Sequence, residues 1–143
     1  MASAAAKQPI VLVVEDEFLI LMAAIETFVE AGFVAIGALN ADKAMLALES
    51  RDDVRVLFTD INMPGSMDGL GLAHAVKKRW PPIHLLITSA LRIPDDRALP
   101  VGGRFFRKPY DPSFVTESIR ELTAESPAIK KPPRRNFATY SVV

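Results

Sequence analysis

Five short apolar runs constrain this chain more than anything else in it. They are Ile10-Val11-Leu12-Val13-Val14, Val34-Ala35-Ile36-Gly37-Ala38, Val54 to Asp60, Ile83-His84-Leu85-Leu86-Ile87 running on to Thr88, and Arg104 to Arg107. Each is strand-sized, and the stretches between them carry helical periodicity or turn chemistry. Short apolar strands alternating with helices call for right-handed crossovers and a parallel sheet covered on both faces. The expected fold is therefore α/β, a doubly wound five-stranded parallel sheet.

The intervening segments fill in that plan. Phe18, Leu21, Met22, Ile25, Phe28 and Val29 recur at helical spacing, and Gly32 ends the pattern, which predicts a helix over 17–31. Asn40 reads as a helix cap, with Ala44, Met45, Leu46 and Leu48 as the buried stripe of a second helix. A third runs from Asp68-Gly69-Leu70 until Pro81-Pro82 stops it beyond Trp80. Pro94, Pro100, Gly102 and Gly103 leave room for one helical turn near Asp95-Asp96 between the fourth and fifth runs. A last helix opens at Asp111-Pro112, carries Phe114, Val115, Ile119 and Leu122 on its inner side, and ends near Glu125.

Polar residues close these runs in a telling way. Glu15 and Asp16 follow the first, Asp60 closes the third, Thr88 and Ser89 close the fourth, and Lys108-Pro109 follows the fifth. In an open parallel sheet the carboxyl ends of the strands form the crevice where ligands bind. Carboxylates, a hydroxyl and an ammonium gathered there suit magnesium and phosphate.

Composition narrows the remaining choices. A chain of 143 residues with 17 acids against 17 bases fits one soluble globular domain and not a general polyanion binder. Cysteine is absent, so thiol chemistry and zinc–thiolate sites are excluded, in keeping with a cytoplasmic address. No apolar run approaches the ~20 residues that span a bilayer, and residues 1–8 read as a flexible leader ahead of a domain over 9–125. Residues 126–143 hold Pro127, Pro132, Pro133, Lys130, Lys131, Arg134 and Arg135 without an acid, and read as an extended Pro-rich basic tail. The cluster is too short for a nucleic-acid domain, so its readings are a solvated extension or a docking element.

Taken in order, Val13-Val14-Glu15-Asp16-Glu17, Asp60-Ile61-Asn62-Met63-Pro64 with Met67-Asp68-Gly69, Thr88-Ser89-Ala90, and Phe106-Arg107-Lys108-Pro109-Tyr110 resemble the receiver domain of two-component response regulators, over roughly residues 9 to 124. The resemblance implies a flavodoxin-like, CheY-like strand order 2-1-3-4-5. It implies Asp60 as phosphoacceptor for a phosphoryl group from a sensor histidine kinase or phosphotransfer protein. It implies Mg2+ or Mn2+ held by Asp16, Asp60 and the main-chain carbonyl of Asn62, with Glu15 acting through water. Lys108 and Thr88 would hold the phosphoryl oxygens, and Phe105 stands where the family has a rotating aromatic. The implied protein is no enzyme beyond its own phosphotransfer and dephosphorylation. It signals to a downstream protein target without a DNA-binding output domain and without direct nucleic-acid or membrane contact.

Three departures from the family pattern stand out. Glu15 replaces the commoner Asp, adding a methylene that favours a water-mediated metal contact. The turn Pro64-Gly65-Ser66-Met67 is longer than usual. The connection from Thr88 to Lys108 is short and Pro-rich, so the helix that the family places there, often its output or dimer surface, is expected to be shortened or missing. The first and last helices still leave room for a homodimer.

Rival readings differ in class. A magnesium-dependent phosphohydrolase with an aspartyl nucleophile generally has a second aspartate two residues on, where this chain has Asn62. A phosphorylation-independent adaptor on the same fold would have lost an essential acid, the Thr or the Lys, and all are present. His74 and His84 lack spaced metal partners and read as structural, as does Trp80 at a helix end.

Overall fold

The computed structural model describes residues 8–91, 93–124 and 141–143. In chain order the elements are β1 (Ile10–Val14), α1 (Phe18–Glu30), β2 (Val34–Ala38), α2 (Ala41–Ser50), β3 (Val54–Asp60), α3 (Gly69–Arg79), β4 (His84–Ser89), a 3-10 turn (Asp96–Ala98), β5 (Arg104–Arg107), α4 (Pro112–Leu122) and β6 (Ser141–Val142). All strands pair in parallel, in the order β5-β4-β3-β1-β2-β6. The five expected strands and their 2-1-3-4-5 order are present, and a sixth lies outside β2.

The local chemistry of each element is plain. α1 stops where Gly32 takes φ 101°, a backbone state that costs glycine nothing. Asn40 Oδ1 accepts the Lys43 amide at 2.8 Å to cap α2, and Asp68 Oδ1 accepts the Gly71 amide at 2.9 Å to cap α3. Asp111 caps α4 through the Ser113 amide, with Pro112 in the first turn. Between β4 and β5 the described residues form a single 3-10 turn in place of a helix, as the prolines and glycines there predict.

Alternation along the sheet builds two cores. Ile10, Leu12, Val14, Ile36, Leu57 and Leu85 face α2 and α3, packing on Ala44, Leu48, Leu72 and Val76. Val11, Val13, Ala35, Val56, Phe58 and Leu86 face α1 and α4, packing on Leu21, Ile25, Phe28, Val115 and Ile119. Burial on this scale contributes roughly 25 cal/mol per Å² of apolar surface removed from water. Among the described residues no helix is long and apolar enough to cross a membrane.

Three expectations need correction. Leu46 is 64% exposed, because the inner face of α2 is made by Ala41, Ala44, Ala47 and Leu48. Phe114 is 65% exposed, since α4 turns Val115, Thr116, Ser118 and Ile119 inward. α4 closes at Leu122, with the Thr123 amide bonded back to the Ile119 carbonyl at 2.9 Å. Of the tail, Ser141 and Val142 join the sheet as extended chain, while residues 125–140, which carry its basic cluster, lie outside the described residues, as do residues 1–7 of the leader.

Candidate functional site

The carboxyl ends of β1, β3, β4 and β5 bring together the residues that the sequence singled out. β1 ends at Val14, so Glu15 and Asp16 leave the sheet edge, and the Glu15 amide donates to the Ala38 carbonyl at 3.1 Å, tying the start of the loop to the end of β2. β3 delivers Asp60 as its last residue, next to Thr88 of β4 in register. Carboxylate oxygens of Glu15, Asp16 and Asp60 all lie within 4.8 Å of one another. Glu15 and Asp60 are buried, whereas Asp16 is the more accessible of the three.

Lys108 reaches into this cluster from the carboxyl end of β5. Its Nζ lies 3.0 Å from Glu15 Oε1 and 3.8 Å from Asp60 Oδ1. The loop is held in place by the Lys108 amide, which donates to the Ser89 carbonyl at 3.0 Å, and the Lys108–Pro109 peptide bond is cis. Tyr110 follows, its ring edge-on to Phe58 at 5.8 Å, so the base of the site rests on the α1/α4 core.

Charge and burial act against each other here. Burial raises the carboxyl of Asp60 above its ordinary value, partly offset by the Lys108 ammonium, while the charge of Asp16 adds to the rise. Glu15 is also raised by burial, against the hydrogen bond from Lys108. For Lys108 burial works to lower the value, but the Glu15 hydrogen bond and the Asp60 charge together outweigh it, and the ammonium is held on. Burial likewise raises the Tyr110 hydroxyl. Three acids against one cation leave net negative charge in a poorly solvated rim, a setting that favours an added cation.

The remaining predicted residues sit nearby in particular poses. Thr88 is buried at the end of β4, and its hydroxyl donates across to the Phe106 carbonyl at 2.6 Å. Phe105, half-buried, packs against the α2/α3 core. Asn62 lies in the loop after β3, its side-chain amide donating to Ser89 Oγ at 2.9 Å, which locks the β3 and β4 ends together. Ser66 Oγ donates to Asp42 Oδ1 at 2.6 Å, pinning the long turn to α2.

Sequence reasoning gave no role to Ser89, Tyr110 or Gly69. Ser89 is a hub for the Asn62 side chain and the Lys108 amide, and its only signal was its place beside Thr88. At Gly69 a Cβ would fall 1.8 Å from the Asp60 carbonyl oxygen, so the first turn of α3 lies directly on the main chain of Asp60. A glycine straight after a capping Asp68 was the available signal.

The sequence model of the response regulator receiver domain matches residues 11–120. The chain belongs to that family. Among solved structures, the response regulator receiver protein from Pseudomonas putida is 26% identical, with a TM-score of 0.73, covering 82% of this chain and 99% of that one. A receiver domain protein from Clostridium thermocellum, 20% identical with a TM-score of 0.76, covers 83% of this chain and 97% of that one. A CheY-like receiver domain protein from Methanospirillum hungatei JF-1, at 20% identity and a TM-score of 0.75, covers 83% and 96%. These last two speak to the fold alone.

Proposed function

We propose that this receiver domain is phosphorylated on Asp60 in the presence of Mg2+ or Mn2+, accepting the group from a sensor histidine kinase or phosphotransfer protein, and passes the signal on by contact with a downstream protein. The observation that carries the reading is the position of Lys108 Nζ, 3.0 Å from Glu15 and 3.8 Å from Asp60, beside a triad of carboxylates at strand ends.

In the proposed step an Asp60 carboxylate oxygen attacks phosphorus, the bond to the donor histidine nitrogen breaks, and an acyl phosphate forms with the histidine as leaving group. A carboxylate meeting a dianionic phosphoryl group needs charge neutralisation and alignment more than acid–base help. Lys108 supplies one fixed positive charge. Asp16, Asp60 and the Asn62 main-chain carbonyl are the oxygens suited to a hard divalent ion, with Glu15 through water, and the ion would supply further neutralisation. The hydroxyl of Thr88 then turns from the Phe106 carbonyl to a phosphoryl oxygen, and Phe105 moves into the space that it leaves.

The test is intact mass and peptide mapping after incubation with acetyl phosphate and magnesium. One added phosphoryl group in the native chain, dependent on the metal and absent in Asp60→Asn, is expected. An unlabelled native chain, also with a phosphorylated donor protein, would favour an adaptor that works without phosphorylation.

A further inference from the structure

Strand β6 is the one element that no crossover logic of the five-stranded sheet requires. Ser141 and Val142 run parallel to β2 in register with Ile36 and Gly37, and the Val143 amide donates to the Gly37 carbonyl at 2.7 Å. The outer edge of β2 would otherwise present unpaired main-chain groups, the usual template for adding an extended segment.

The side chains make this edge selective. Val142 shares the face of Gly37, where β2 has no side chain and Leu21 and Ile25 of α1 close directly onto the strand; a Cβ there would lie 2.7 Å from Ile25 Cδ1. Half-buried Val142 extends the α1-side core past the sheet edge, whereas Ser141, on the opposite side of the pleat, is exposed. A branched aliphatic next to Gly37, preceded by a small polar residue, is therefore what the edge accepts.

Its hold is slight. Two residue pairs, one further hydrogen bond and one half-buried valine are all that the described contacts provide, and a net hydrogen bond is worth about 1 kcal/mol. Such a strand is a replaceable occupant.

We infer that the outer edge of β2 is a strand-addition site, that residues 141–143 are its resident occupant, and that an extended segment of a partner protein with the same small-polar, branched-aliphatic pattern binds there by displacing them.

The experiment uses the full chain and a fluorescent, end-blocked peptide of residues 138–143. The native chain is expected to bind it weakly, and Val142→Asp, which loosens the resident strand, at least tenfold more tightly. The Val143 amide, bonded to the Gly37 carbonyl in the native chain, is expected to exchange faster in Val142→Asp. Val143→Pro removes the donor to Gly37 without placing a charge against α1 and gives the same direction, which covers any disturbance of α1 by the aspartate. A peptide N-methylated at the Val143 position loses binding. Equal binding to native and variant chains, no binding to either variant, or indifference to N-methylation would each overturn the assignment. A native dimer abolished by Val142→Asp would instead make a second copy the donor and overturn the partner-protein reading.

Discussion

Two crossovers leave the site from neighbouring strands and have opposite characters. The one from Asp60 becomes α3, capped by Asp68 and buried along Leu70, Leu72, Ala73 and Val76. The one from Thr88 and Ser89 stays on the surface, with Leu91 84%, Ile93 66% and Val101 82% exposed around a single 3-10 turn. Among the described residues it is tethered to the rest of the fold by a contact between His74 Nε2 of α3 and the Ala98 carbonyl at 2.7 Å, with Ala98 and Leu99 partly packed on the core. Where a cap and an apolar stripe agree in the sequence the crossover is a helix; where prolines and glycines break the stripe, few buried contacts hold the chain and local opening is cheap. The proposed acceptor thus sits at the root of the firm crossover, and the proposed switch hydroxyl at the root of the loose one.

The sharpest way to break this contrast is at its glycines. Gly69→Ala, with no room beside the Asp60 carbonyl, should lower the unfolding free energy by about 3 kcal/mol in urea titration. Gly102→Ala in the other crossover has open space but φ +81°, and should cost about 1 kcal/mol. Equal costs would mean that α3 is not seated as firmly as its geometry implies.

Charge sharpens the acceptor end. Because burial raises the folded-state carboxyl of Asp60, its ionised form weakens the fold: the stability it contributes is present below the unfolded value and lost as pH rises through the folded one. Asp60→Asn should therefore be more stable than the native chain at pH 7, by about 1 kcal/mol, with the gap closing below about pH 4. Lys108, also raised, titrates above 10.5 and stays outside this window. A destabilised variant at neutral pH would sink the argument.

Caps give a smaller contrast. Asp68→Ala should cost about 1 kcal/mol, and Asp95→Ala, whose side chain accepts the Arg97 amide at 3.1 Å in the 3-10 turn, only a few tenths by the same measurement. Smallest globally is His74→Ala, expected within about 0.5 kcal/mol of the native chain while amides of residues 93–101 exchange faster. Unchanged exchange there would show that the tether does not hold the connection.

Most of this architecture is legible in the residues. The five apolar runs specify the sheet, and Glu15, Asp16, Asp60, Thr88 and Lys108 come together because parallel strands all expose their carboxyl ends at one rim. Strand β6 was not legible, because Ser141-Val142 is too short for a periodicity and its partner is the distant edge of β2. Leu46 and Phe114 misled because apolar character alone does not fix a face. Leu46 lies two residues from both Ala44 and Leu48 and so on the opposite side of α2, and α4 buries the hydroxyls of Thr116 and Ser118, the latter accepting from Arg104 at 3.2 Å. The direction of the Thr88 hydroxyl depends on a β5 carbonyl and leaves no trace in the sequence.

That hydroxyl carries a single proton, and at 2.6 Å it is already committed to Phe106. It therefore cannot serve the β5 carbonyl and a modified Asp60 together, so the proposed switch is an exclusive choice between two acceptors rather than a graded drift. A bond worth about 1 kcal/mol sets the resting preference at roughly five to one, a bias that a charged phosphoryl oxygen, as the stronger acceptor, would overturn.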